Sequence, residues 1–335
     1  MSKLKLLKSQ LTKNDEFYTL YDDIAAEVSL YKEQLKGKNI ICPCDWDESY
    51  EEIIIYKSQF AIAPTSLLDA GGTIKTVNVN ATKAKYNDNN ETPKCNFIKY
   101  LVSHADDYDI ASISVSGYDP KTGKGVKFQD VDFSKYDLVI TNPPFSVFRE
   151  FIDTMFKYKI KFLVIGPQNA ITYRETFKFI QNNEMWLGYS KLLTGFMREN
   201  GKYLLSKNPE GSIPRACKWF TNLDVSYRHD KMILTEKYDP ERYPNYYNYN
   251  AIDVSETKAI PYNWAGEMGV PITFLQKYNP EQFEIIGKGV QLEKTRRFKE
   301  DKATLWIEKD GKPFKAPFER IIIKNKEVVK DNNEN

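Results

Sequence analysis

Two apolar runs, Tyr136-Asp-Leu-Val-Ile140 and Lys161-Phe-Leu-Val-Ile165, flank a segment whose Phe148, Phe151, Ile152, Met155 and Phe156 share one helical face. No other stretch restricts the fold so tightly. A strand that is apolar along its length is buried on both faces, and strands alternating with amphipathic helices form a parallel sheet with helices on either side. Such sheets bind ligands at the carboxyl ends of their strands. Both runs end in polar, rigid turns: the first in Asn142-Pro143-Pro144-Phe145, the second in Gly166-Pro167 followed by Gln168 and Asn169. Ser146 stands where it would cap the intervening helix.

The same alternation is visible upstream. Residues 14–36 carry Ile24, Val28, Tyr31 and Leu35 at helical spacing and stop at Gly37, which predicts an amphipathic helix. Lys38–Cys42 predicts a buried strand closed by Pro43, residues 50–70 a second helix, Ile74–Asn80 an alternating strand and residues 95–104 a third helix. Gly117–Pro120 and Gly123–Gly125 read as turns. Beyond about residue 185 the pattern shortens into aromatic runs such as Lys218-Trp219-Phe220, a Tyr- and Asn-rich stretch from Tyr238 to Asn250, and punctuation at Pro261, Gly266, Gly269 and Pro271. A hairpin turn is expected at Asp310-Gly311. The chain is thus expected to divide into an α/β core over residues 1–185 and a second region over residues 186–335, which can also complete the core sheet.

With 335 residues, 41% of them hydrophobic, the chain can bury a full-sized core. It has no apolar run of membrane-spanning length and no secretory leader, so a cytoplasmic location is expected. A net charge of +2 is too mild to signal nucleic-acid binding, which needs local positive charge. Cys42, Cys44, Cys95 and Cys217 form no CxxC pair, and only His104 and His229 are available to help them, so reduced thiols and no metal are expected.

Asn142-Pro143-Pro144-Phe145 carries the chemistry. An amino group on an aromatic base is a poor nucleophile because its lone pair is delocalised into the ring. Two acceptors holding its hydrogens turn that lone pair outward, and the Asn142 side-chain oxygen and the Pro143 carbonyl can be those acceptors. The two prolines hold the turn rigid and aim its carbonyls out of the sheet edge, while Phe145 can stack on an extruded base. The plainer reading is a turn that ends a strand, a role these residue types often fill.

Several separated segments resemble the EcoRI-type adenine-specific DNA methyltransferases. They are Asn14-Asp-Glu-Phe-Tyr-Thr19, Lys36-Gly-Lys-Asn-Ile-Ile-Cys-Pro-Cys-Asp45, Thr141-Asn-Pro-Pro-Phe-Ser-Val-Phe-Arg-Glu150, Gln168-Asn-Ala-Ile-Thr-Tyr173, Met268-Gly-Val-Pro-Ile-Thr-Phe274 and Tyr278-Asn-Pro-Glu-Gln-Phe283. Each is weak alone, but their joint order is specific. The resemblance implies a Rossmann-like, S-adenosylmethionine-dependent methyltransferase with a carboxyl-terminal DNA-recognition region, acting on the exocyclic amino group of adenine. It carries over Phe17, Tyr18 and Thr19 as contacts at the methionine end of the cofactor. It also carries over Cys42, Pro43, Cys44 and Asp45 at the first strand end, with Asp45 facing the methionine ammonium. Core packing of the first helix is the other reading of Phe17 and Tyr18.

The chain departs from the wider methyltransferase pattern at two points. Its first loop, Cys42-Pro-Cys-Asp-Trp-Asp47, lacks glycines, and its second strand ends in Asn78 and Asn80 where an acidic residue usually meets the ribose. Asp130 can meet the cofactor adenine or belong to a solvated loop. Arg296, Arg297 and Lys299 are candidate DNA contacts, although such clusters are often solvated faces. The expected partner is double-stranded DNA, read by a monomer that acts either as the modification enzyme of a restriction-modification system, forming no stable complex with its cognate endonuclease, or as an orphan or phage methylase. Rival readings are a methyltransferase for an RNA base or a protein glutamine, and, in another class, a catalytically idle nucleic-acid-binding module.

Overall fold

The computed structural model describes residues 17–45, 52–58, 96–119, 122–191, 193–198, 203–205, 217–289, 305–309, 312–316 and 318–329. It divides into two compact units, one of residues 1–170 with 187–223 and the other of residues 171–186 with 224–335. The first unit holds, in chain order, β1 (Phe17–Thr19), α1 (Tyr21–Val28), β2 (Asn39–Cys42), β3 (Ile53–Lys57), α2 (Asn96–Ser103), β4 (Ser112–Val115), β5 (Leu138–Thr141), α3 (Phe148–Tyr158) and β6 (Lys161–Pro167). These are followed by β7 (Trp186–Leu187), of which Leu187 belongs to this unit, and by β8 (Gly195–Arg198), β9 (Tyr203–Leu205) and β10 (Cys217–Thr221).

The main sheet has seven strands in the order β3-β4-β2-β5-β6-β10-β7. Strands β4, β2, β5 and β6 run parallel, and β3 and β10 pair antiparallel at either side of them, so the sheet is mixed where the sequence predicts a parallel one. Its centre is dry: Ile40, Ile41, Val139, Ile140 and Phe162 to Ile165 are fully buried. Successive strand residues face opposite sides. Phe97 of α2 meets the Trp219 ring edge-on at 5.9 Å while Phe148 of α3 lies 5.1 Å from the Phe220 ring, so the two helices cover opposite faces of β10.

Phe148 also shows how closely α3 is seated. A Cβ added to Gly166 of β6 would overlap the Phe148 ring, so only glycine lets this helix approach the sheet. Gly166→Ala is expected to destabilise the protein by about 1–3 kcal/mol, the usual cost of overpacking, read as a lower urea midpoint. An unchanged midpoint would mean that Phe148 yields freely.

Several sequence expectations change here. The stripe Ile24, Val28, Tyr31 and Leu35 is buried as its spacing requires, but the helix predicted over 14–36 begins only at Tyr21, because Phe17–Thr19 pairs as a strand with β8. A 3-10 turn at Ser29–Tyr31 separates α1 from the helical turn Lys32–Leu35. Within the helix predicted over 50–70, Ile53–Lys57 is a strand pairing with β4, as the β-branched run Ile53-Ile54-Ile55 favours. Ser146 does not cap α3. It lies in the 3-10 turn Phe145–Val147, and the helix starts at Phe148 without a side-chain cap. The strand expected over 74–80 lies outside the described residues.

The second unit contains α4 (Arg174–Gln181) and a sheet in the order β11 (Ile252–Asp253), β12 (Glu267–Pro271), β14 (Arg320–Asn325), β13 (Phe283–Lys288). Strand β14 pairs antiparallel with both neighbours, and its Ile321, Ile322 and Ile323 are fully buried. Arg320 at its start is almost fully buried and answers the charge of Asp253 through an Nε–Oδ1 contact of 2.9 Å. The expected hairpin appears as Trp306–Lys309 paired with Lys312–Lys315, its two turn residues lying outside the described set.

Candidate active site

Parallel neighbours bring their carboxyl ends to one edge of the sheet, and β2 lies between β4 and β5. After β2 the chain continues Pro43-Cys44-Asp45, after β5 it continues Asn142-Pro143-Pro144, and after β4 comes Ser116, whose N–H donates to the Cys42 carbonyl at 3.1 Å. The loops meet directly. The Thr141 hydroxyl donates to Asp45 Oδ2 at 2.5 Å, across 96 residues of sequence, and the backbone N–H of Asn142 donates to the same carboxylate.

Thr141 is fully buried, and Pro143 beyond it is buried too. Asp45 keeps part of its surface open, yet the protein packed around it pushes its carboxyl up to about 7, against the pull of the Thr141 and Asn142 hydrogen bonds. At Cys44 burial, with the charge of Asp45 beside it, drives the thiol far upward, so it stays protonated. Burial likewise pushes the Cys217 thiol up to about 12.

Asn142 is half-buried with its side-chain Oδ1 shielded from solvent. Phe145 is half-exposed, and its ring meets Phe196 of β8 edge-on at 6.4 Å and 80°. In register, Phe196 stands opposite Thr19, Met197 opposite Tyr18 and Arg198 opposite Phe17. The amino-terminal Phe-Tyr-Thr element is therefore linked to the Asn142 turn through β8. Thr19 is buried, and its hydroxyl has no hydrogen-bond partner among the described residues; its carbonyl accepts from Asn96 Nδ2 at 2.8 Å.

Two acidic residues of α1 hold β8 in place. Glu27, fully buried, accepts the N–H groups of Tyr189 and Ser190 at 2.8 and 2.6 Å and the Tyr31 hydroxyl at 2.9 Å. Asp23 accepts from the N–H and hydroxyl of Thr194 and from the N–H of Gly195. Burial raises the Asp23 carboxyl, and the Thr194 and Gly195 bonds oppose that rise. The loop rides so close to α1 that a Cβ on Gly188 would collide with Glu27.

The structure thus gathers Thr19, Cys42 to Asp45, Asn142, Pro143 and Phe145 around one sheet edge, with Tyr18 half-buried beside Met197. Asp130 is exposed on the 3-10 turn Phe128–Asp130, with no side-chain contact to this group among the described residues. The Phe17 side chain and Arg296, Arg297 and Lys299 lie outside the described residues. Sequence reasoning passed over Thr141, Ser116 and Phe196. Thr141 could have been noticed as a lone hydroxyl closing an apolar strand; nothing in the sequence points to Phe196.

Ser116 Oγ and Thr19 Oγ1 are buried hydroxyls without partners among the described residues, and the Asp45 carboxyl keeps part of its surface open, so these groups suit the hydrogen-bonding and cationic parts of a polar ligand. His104 and His229 belong elsewhere: His104 lies against the Tyr100 carbonyl and His229 against Asp224. Among the described residues no cluster of His, Cys, Asp or Glu could hold a metal ion, and no helix is long and apolar enough to cross a membrane.

A rigid acceptor turn at a strand end, locked to the neighbouring strand's loop, suits transfer of a small group to a planar amine, which defines the class of amino-methyltransferases. The family model described as adenine-specific methyltransferase EcoRI matches residues 5–326. The chain is 37% identical to Type II methyltransferase M.EcoRI of Escherichia coli, over 97% of its own length and 98% of that protein's. It is 31% identical to Type II methyltransferase M.MpnI of Mycoplasma pneumoniae, over 83% of its length and 84% of the relative's. No solved structure matches it. The chain belongs to the EcoRI family of adenine-specific DNA methyltransferases.

Proposed function

We propose that this enzyme takes methyl from S-adenosylmethionine and places it on the exocyclic amino group of an adenine in a specific duplex sequence, as the modification partner of a restriction nuclease or as a free-standing methylase. The observation that carries the reading is the Asp45–Thr141–Asn142 junction, which ties the loop assigned to the cofactor to the loop assigned to the base. The four parallel strands with polar carboxyl ends support a Rossmann-like core. We assign residues 1–185 to cofactor and catalysis and residues 186–335 to target recognition, the stretch 187–223 also completing the core unit and its sheet, with Arg296, Arg297 and Lys299 as DNA contacts.

When bound, the cofactor supplies an electrophilic methyl group on a sulfonium; the remaining demands fall on the chain. Asn142 Oδ1 and the Pro143 carbonyl accept the two amino hydrogens and point the nitrogen lone pair at the methyl group. Their acceptance strengthens as positive charge develops on nitrogen, so they stabilise the transition state more than the ground state. Asp45 would receive the ammonium of the cofactor, Phe17, Tyr18 and Thr19 would hold its methionine end, and Cys42, Pro43 and Cys44 would shape the loop around it. Asp130 is the candidate contact to its adenine. Labelled S-adenosylmethionine incubated with duplex DNA, RNA and protein pools tests the assignment: label in DNA adenine is expected, and label confined to RNA or protein refutes it.

Phe145 stacks on the target base after it leaves the duplex, because a paired amino group inside the stack cannot reach the Asn142 turn. With 2-aminopurine in place of the target adenine, fluorescence is expected to rise strongly when the enzyme binds. Phe145→Ala should weaken the extruded state by roughly 1–3 kcal/mol while phosphate contacts keep the DNA bound. Flat fluorescence on a methylatable duplex would remove the extrusion step.

A further inference from the structure

Among the described residues, the large hydrophobic side chains left exposed include three aromatics, Tyr247 at 56%, Phe314 at 52% and Phe318 at 74%. All three lie on or beside one feature, the two-stranded ribbon of Trp306–Lys309 and Lys312–Lys315. The inner strand of that ribbon is firmly held. The Tyr247 N–H donates to the Trp306 carbonyl at 2.7 Å, the Trp306 N–H donates to Asn248 Oδ1 at 3.0 Å, and Ile307 packs on a buried cluster of Tyr246, Ala251, Leu305, Ala316 and Ile322. The outer strand is bare: Lys312, Pro313, Phe314 and Lys315 are all exposed.

A protein spends stability to keep aromatics in water unless something covers them. Another strand is a poor candidate, because Pro313 has no N–H to offer and its flanking lysines repel an added edge. Lys312 and Lys315 make no ion pair among the described residues, and the outer strand carries no acidic residue, the acids of the ribbon being Glu308 on the inner strand and Asp310 in the turn. An exposed aromatic with one lysine, Lys312, on its own face of the strand and another, Lys315, beside it on the opposite face fits a polyanion with stacked rings, and a two-stranded ribbon has the width of a DNA groove.

We infer that the ribbon Trp306–Lys315 is a duplex-DNA contact, in which Lys312 and Lys315 neutralise phosphates and Phe314 presses against the bases of the groove. The inference rests on the reading that the carboxyl-terminal part holds the DNA, and it names the surface. These side chains are exposed, so replacing them leaves the fold intact, which unchanged thermal unfolding of each variant will confirm.

The test is titration of a labelled target duplex with full-length protein at several salt concentrations. The double variant Lys312→Gln, Lys315→Gln should bind more weakly on every duplex and flatten the slope of log affinity against log salt by about 1–2, since each phosphate contact contributes about 0.9. Phe314→Ser should lose about tenfold in affinity with the salt slope unchanged. If all ribbon variants bind as wild type does while a triple Gln variant of Arg296, Arg297 and Lys299 loses affinity, the ribbon contact is overturned and the carboxyl-terminal reading stands. If the triple variant also binds as wild type, both fall. Sedimentation velocity covers the other occupant: a wild-type dimer that Phe314→Ser converts to a monomer would reassign the ribbon to self-association and overturn the proposal.

Discussion

Replacing Asn142 by alanine is expected to slow single-turnover methyl transfer by about 10²–10³-fold, the range seen when one preorganised hydrogen-bonding group is withdrawn from a developing charge. The variant should fold and bind its cofactor normally. Its side chain sits beyond the last strand residue, and the hydrogen bond that Asn142 gives to Asp45 comes from the backbone, which alanine retains. Asn142→Asp separates two roles: it keeps an acceptor but adds a second charge next to Asp45, so the Asp45 carboxyl should titrate higher still. An Asn142→Ala enzyme with near-wild-type single-turnover rate would remove this side chain from the mechanism.

The second large effect is at Asp45. Asp45→Ala is expected to weaken S-adenosylmethionine binding by about tenfold to a hundredfold, the size of a charge-assisted hydrogen bond, and DNA binding much less. The pH dependence is more telling. The carboxyl titrates near 7 in the folded protein, above its ordinary value of 3.8, so the folded protein holds a proton that the unfolded chain has lost between about pH 4 and 7. That contribution to stability is therefore full at low pH and fades as pH rises through 7. Binding an ammonium requires the ionised form. Calorimetric affinity for the cofactor should thus improve from pH 6 to 8 in wild type, relative to Asp45→Asn, in which this dependence is absent and binding is weaker throughout. Equal pH profiles in the two proteins would leave Asp45 as a structural tie to Thr141 and move the ammonium contact elsewhere.

Much of the core was legible because its signals are local. The stripe from Ile24 to Leu35 and the runs before Asn142 and Gly166 report burial with the period of a helix or a strand, and the structure buries those residues. Local signals also misled. Ile53–Lys57 lies in a segment whose wider spacing suits a helix, and only its pairing with β4 makes it a strand. Phe17–Thr19 reads as the lead of a helix until β8 arrives beside it. In both cases a partner distant in sequence outweighed intrinsic preference, as hydrogen-bonded pairing often does.

The site divides along the same line. The sequence alone determined that a rigid acceptor turn follows a buried strand, that a Pro-Cys-Asp loop follows another, and that a Phe-Tyr-Thr element precedes both, because each is a property of a few consecutive residues. Only the tertiary structure decided that β2 and β5 are neighbours, so that Thr141 reaches Asp45, and that Glu27 and Asp23 catch the loop delivering Phe196 to Phe145. It likewise placed Cys217–Thr221 antiparallel beside β6. The physical reason is that periodicity records whether a side chain is buried, whereas the identity of what buries it depends on how the whole chain packs at near-crystalline density, a condition no short segment contains.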